Sequence, residues 1–148
     1  MKQKLRKILA LLVLSVSVLG LTACGSANDS ETIEYDSAYL QSVSDFLIGS
    51  WNGLSEADLD TYATMDEEDA QSMLDSYGLP FTAEAFTTAF AGYEGSMEEL
   101  GAYVSTDGYE FETKKDEVIL ITHLTYEQRK ADLEIVFNKK SVAQSVTV

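Results

Sequence analysis

The chain predicts an α+β domain in which N-terminal helices pack on one face of a curved, cone-like antiparallel sheet of four or so strands. Between Asp36 and Leu100 apolar residues recur every three or four positions, the period of a helix face. After Gly101 the period falls to two, and β-branched and aromatic residues fill short segments. The links KKDE, EQRK and NKK between those segments are charged and short, which suits antiparallel neighbours.

The first helix presents Leu40, Val43, Leu47, Trp51 and Leu54 on one face and is expected to end at Asn52-Gly53, with the glycine as a left-handed cap. Ser55 with Asp58 resembles a capping arrangement for a short second helix carrying Leu59 and Tyr62. Asp66 can cap a third helix whose first turn holds Glu67, Glu68 and Asp69, charges that favour the positive end of the helix dipole. Ala70, Met73, Leu74 and Tyr77 form its apolar side, and Gly78 with Pro80 ends it. A fourth helix opens near Thr82 and presents Phe86, Phe90 and Tyr93, with Ala85 and Ala89 permitting close approach. Gly92 and Gly95 weaken it, so it is expected to stop there, with residues 96–100 adding at most one turn.

Residues 102–106 and 109–113 are strand-like on either side of Asp107-Gly108, either as two pieces or as one longer strand. Residues 118–126, VILITHLTY, make the strongest strand and suit a central position. In residues 131–137 Ala131, Leu133, Ile135 and Phe137 face one way and Asp132, Glu134 and Val136 the other. Residues 141–148 give a last strand with Val142, Val146 and Val148.

Ahead of this pattern lie Lys2, Lys4, Arg6 and Lys7, an apolar run from Ile8 to about Leu21, and the tetrapeptide Leu21-Thr22-Ala23-Cys24. The run is short for a bilayer span and suits the core of a signal peptide. The segment resembles a bacterial lipoprotein signal, whose lipobox reads Leu, then Ala, Ser or Thr, then Gly or Ala, then Cys. That resemblance implies cleavage after residue 23, a diacylglyceryl group on the Cys24 sulfur, and a lipid-anchored domain on the extracytoplasmic face of the cell membrane. The competing reading is an ordinary secreted chain with Cys24 near the cleavage site by chance. Residues 24–34, polar and small, read as a flexible tether, and residues 35–148 have the size of a single domain. Cys24 is the one cysteine of the 148 residues, so the domain is held by packing without a disulfide.

Charge is placed unevenly. Residues 24–148 carry six basic against twenty-five acidic residues, and no Lys or Arg occurs between Cys24 and Thr113. Such a surface repels phosphate backbones, which argues against a nucleic-acid partner. It is also expected to repel anionic headgroups and hold the domain away from the membrane.

The helix segment Phe46-Leu47-Ile48-Gly49-Ser50-Trp51, followed by strands with a Tyr-Glu-Gln-Arg turn at 126–129, resembles nuclear transport factor 2-like domains of Gram-positive lipoproteins. It is also similar to the extracytoplasmic head of sodium-pumping decarboxylase gamma subunits. The first resemblance implies a domain with a pocket between helices and sheet that serves as an active site in some relatives. The second implies a component of a membrane complex in sodium transport, in which a strand like Ser145 to Val148 leads into a hydrophobic span.

Candidate chemistry is sparse. His123, the single histidine, shares a strand side with Ile119, Ile121 and Thr125, and could serve as base of a small pocket enzyme if a carboxylate oriented it. Residues 58–69, DLDTYATMDEED, carry carboxylates at calcium-loop positions 1, 3, 9 and 12. They also carry Tyr62 at position 5, Ala63 in place of the turn glycine and the short Asp69 at position 12, so helix caps account for them better than a metal site. Tyr62, Tyr77, Tyr93, Tyr103, Tyr109 and Tyr126 with Trp51 fit a core better than a ligand pocket. No paired-cysteine metal motif, phosphate-binding glycine loop or nucleophile elbow is present. The sequence thus favours an accessory or binding domain, with no catalytic residue, cofactor or metal assigned, whose partner is the membrane through lipid on Cys24 and a protein or small molecule beyond it.

Overall fold

A computed structural model describes residues 33–148. The signal segment, Cys24 and the tether up to residue 32 lie outside the described residues. Four helices, α1 (Ser37–Gly53), α2 (Glu56–Ala63), α3 (Glu67–Tyr77) and α4 (Ala83–Leu100), precede four strands, β1 (Tyr103–Lys114), β2 (Glu117–Tyr126), β3 (Lys130–Asn138) and β4 (Ala143–Thr147). The strands form one antiparallel sheet in the order β1-β2-β3-β4, so the α+β class and the helices-then-meander order hold.

Each helix start is fixed by a side-chain oxygen. Asp36 accepts from the Ala38 and Tyr39 N–H groups, Ser55 from Asp58, Asp66 from Asp69 at 2.8 Å, and Thr82 from Ala85. The carboxylates of residues 58–69 therefore sit on α2, in a cap and in the first turn of α3. Gly78 takes the left-handed conformation that stops α3, at φ 63° and ψ 34°. Gly53 does not play that part for α1: Leu54 closes the helix in an extended conformation, donating its N–H to the Ser50 carbonyl. The expected break at Gly92 and Gly95 is also absent. α4 runs unbroken to Leu100 because Phe86, Phe90, Tyr93 and Leu100 keep one face buried through the glycines, and burial outweighs about 1 kcal/mol of propensity per glycine.

One hydrophobic cluster joins all four helices to the inner face of the sheet. β2 contributes Val118, Leu120, Leu124 and Tyr126, and β3 contributes Leu133, Ile135 and Phe137, in strict alternation. At the other end of the chain Ile33 already packs against this cluster, and the Tyr35 ring stacks on Phe111 at 5.3 Å. β4 breaks the expected alternation. A bulge at Gln144 of β4, opposite Val136 and Phe137 of β3, shifts the register, so Ala143 and Val146 are the buried residues and Val142 is not. Ala143 is held by the α3–α4 connection, donating to the Pro80 carbonyl at 2.8 Å and accepting from the Thr82 N–H at 3.0 Å.

A buried polar link ties α1 to the sheet. The Ser44 and Thr122 hydroxyls, both wholly buried, share a hydrogen bond of 2.7 Å. Ser44→Ala leaves the Thr122 hydroxyl without that partner and is expected to cost about 1–3 kcal/mol in urea unfolding. Adding Thr122→Val should recover most of the loss, because no orphaned hydroxyl then remains. A double variant as unstable as the single one would refute this account.

Candidate functional site

The alternation that buries Thr122 and Leu124 turns Ile119, Ile121, His123 and Thr125 toward the sheet face opposite the helices. His123 therefore lies on the outer face, its side chain 38% exposed, and not between helices and sheet. That placement corrects the pocket-base reading, which needs the imidazole inside. The carboxylate partner is real, however, and there are two. Asp132, directly opposite on β3, stands 2.7 Å from Nδ1, and Glu110, diagonal on β1, stands 3.4 Å from Nε2. Gly108, the β1 residue directly opposite, has no side chain to contest the space.

With an acceptor at each ring nitrogen the imidazolium is the favoured form, since it alone donates from both. The hydrogen bond to Asp132 is the largest influence and raises the His123 pKa; desolvation, next in size, opposes it, and the charge of Asp132 with the hydrogen bond and charge of Glu110 add to the rise. Next to it the Asp107 carboxylate accepts from the Thr125 and Ser105 hydroxyls, which hold it below the ordinary aspartate value. Lys130, opposite Thr125 on β3, adds a cation near Asp107. The arrangement is a hydrogen-bonded surface patch in which carboxylates stand at both nitrogens of the histidine.

The folded pKa of His123 is raised, so its stabilising contribution is fully present below the unfolded value of about 6.5 and fades as pH rises through the folded value. An NMR titration of the imidazole should give a midpoint above about 6.5, and Asp132→Asn should lower it more than Glu110→Gln. A midpoint unmoved by Asp132→Asn would contradict the assignment.

A second group lies on the inner face, where β1, β2, α1 and α4 meet. Trp51 stacks on Tyr93 at 4.6 Å and 5°, and Tyr126 meets the Tyr103 ring edge-on at 6.0 Å. Burial, followed by the charges of Tyr93 and Tyr103, pushes the Tyr126 hydroxyl well above the usual tyrosine range. Trp51 Nε1 and Tyr126 Oη are buried and find no hydrogen-bond partner among the described residues. Unpaired polar atoms there cost about 1–3 kcal/mol each, which a bound water or a ligand oxygen would offset. Nearby along the sheet, the Tyr109 hydroxyl donates to Asp45 at 2.6 Å, closing α1 onto β1.

Sequence reasoning placed Trp51, Tyr62, Tyr93 and Tyr126 in the core, where they are, with Tyr77, Tyr103 and Tyr109 at its margin. It missed the partnership of His123 with Glu110 and Asp132. Among the described residues no group of three or more His, Cys, Asp or Glu side chains is placed to hold a metal, and no helix is long and apolar enough to cross a membrane. Comparison with protein-family models, curated proteins and solved structures finds no match to this chain.

Proposed function

We propose that this protein is a lipid-anchored extracytoplasmic domain that works by binding. The anchor rests on the ordered basic, apolar and Leu21-Thr22-Ala23-Cys24 segments. Two acyl chains on Cys24 would give the stable attachment that one chain does not. The observation that carries the binding half is the outer-face patch: both nitrogens of the single histidine face carboxylates, an arrangement that presents fixed charge to a partner. Four helices ahead of a four-stranded antiparallel meander support the nuclear transport factor 2-like reading as part of the same proposal.

The anchor is tested in a Gram-positive host fed an alkyne fatty acid. Wild-type protein should be labelled and Cys24→Ala should lose essentially all label, while residues 33–148 keep their fold because the substitution touches none of the described residues of the hydrophobic cluster. Equal labelling of both chains would remove the anchor from the proposal.

A further inference from the structure

The six basic residues after Cys24 are not spread through the fold. Lys114 ends β1 and Lys115 lies in the β1–β2 turn, and Lys139 and Lys140 lie in the β3–β4 turn. Antiparallel pairing brings these two turns side by side at one end of the sheet, where Lys114, Glu117 and Asn138 stand in one cross-strand row. The ion pair of Lys139 with Asp116, 2.8 Å across the two turns, shows how close they are. All four lysines are exposed. At the tips of the two turns the four lysines stand against Asp116 and Glu117, while Glu112, Glu34 and Asp36 lie further back along β1 and the entering segment, in a chain that is otherwise strongly acidic. At the opposite end the other two cations are matched: Arg129 pairs with Glu99, and Lys130 sits near Asp107.

The chain also enters the domain at the lysine end. Tyr35 stacks on Phe111, three residues before Lys114 and so about 10 Å from it along the strand. From there α1 runs toward the far end, with Ser44 at Thr122 and Trp51 among the aromatics that surround Tyr93. The nine residues from Cys24 to Ile33 reach at most roughly 30 Å, which keeps a lipid on Cys24 within range of this end.

Building on the lipid-anchor reading above, we propose that the two lysine turns form a membrane-facing surface that seats on anionic phospholipid headgroups and sets the orientation of the tethered domain. Screening makes this compatible with the overall acidity. At physiological ionic strength charges act over about 8 Å, so a headgroup layer at the turn tips feels the four lysines with Asp116 and Glu117 and not the carboxylates of the far end. Each lysine near an anionic leaflet favours contact by roughly fivefold. The expectation that acidity holds the whole domain off the membrane then applies to the rest of the domain, and the histidine patch is carried on a face that runs away from the lipid.

The test uses the chain from Cys24 onward, which contains every described residue of the hydrophobic cluster. Its single thiol is coupled to a maleimide lipid in vesicles of phosphatidylcholine alone or of phosphatidylcholine with phosphatidylglycerol. Acetylation of each lysine is then followed by mass spectrometry. Lys114, Lys115, Lys139 and Lys140 should react roughly fivefold more slowly on the phosphatidylglycerol vesicles, with the difference lost in high salt and absent at Lys130. In Lys115→Glu/Lys140→Glu the protection of Lys114 and Lys139 should vanish. Equal rates on both vesicles, protection of Lys130 as strong as that of the four, or protection by soluble inorganic phosphate alone would overturn the proposal. Because the coupling supplies the anchor chemically, such a result leaves fatty acylation of Cys24 untouched, and a failure of fatty-acid labelling leaves this measurement intact.

Discussion

Phe86→Ala is expected to destabilise the domain by about 3–5 kcal/mol, a large share of the 5–15 kcal/mol typical of a single domain. Phe86 is wholly buried and joins three elements through its ring. Tyr62 of α2 meets it edge-on at 6.0 Å, Phe81 of the α3–α4 connection at 5.9 Å, and Phe90, one turn along α4, at 4.7 Å. Phe81 in turn bridges to Ala143, so removing the Phe86 ring opens a void between the helical layer and the β4 edge. Urea unfolding should show a fall in midpoint with little change in slope. Val104→Ala, at the exposed large apolar residue of β1, should change stability by no more than about 0.5 kcal/mol. Similar losses for both would mean that the aromatic contacts around Phe86 do not organise the core.

Much of this architecture was written in local chemistry. Asp36, Ser55, Asp66 and Thr82 announce the helix starts because short polar side chains satisfy the free N–H groups there. The switch of period at Gly101 announces the sheet. The first helix does end at Gly53, though without the left-handed cap, whereas at Gly92 and Gly95 propensity speaks for an isolated helix and the packing of Tyr93 and Leu100 decides the real one. Val142 was misplaced because the bulge at Gln144 of β4 carries no composition signal of its own.

The site was partly legible as well. A hairpin with Tyr126 and Arg129 at its closing hydrogen bond fixes His123 opposite Asp132 by counting back along both strands. The β1–β2 turn at Lys115-Asp116 likewise places Gly108 opposite His123 and Glu110 beside it. What no local pattern reveals is the inner group, since Trp51, Tyr93 and Tyr126 belong to three elements and meet only through the packing of α1 and α4 on the sheet.

Gly101→Ala is expected to cost about 2–4 kcal/mol, for reasons that no composition rule captures. Gly101 closes α4 at φ 74° and ψ −157°, a region that glycine alone occupies freely. A methyl group there would stand 3.1 Å from Gln128 Cγ and 3.2 Å from Glu127 Cβ, tighter than ordinary contact. The closeness has a purpose in the fold. The β2–β3 turn is strapped over this point, Gln128 donating to the Leu100 carbonyl at 3.0 Å and Glu127 to the Ala102 carbonyl at 2.9 Å. The strap joins the end of α4, the start of β1 and the hairpin that sets the His123–Asp132 register. Gly78 provides the control, because its φ of 63° and ψ of 34° lie in the left-handed region that asparagine tolerates, with open space where a side chain would go. Gly78→Asn should therefore cost well under about 1 kcal/mol, whereas Gly101→Asn should be as damaging as Gly101→Ala. Amide hydrogen exchange should localise the Gly101 effect, with the Glu127 and Gln128 N–H groups losing protection before the centre of β2 does. If both glycines accept asparagine equally well, the backbone at Gly101 is not the constraint that holds the hairpin to the helix.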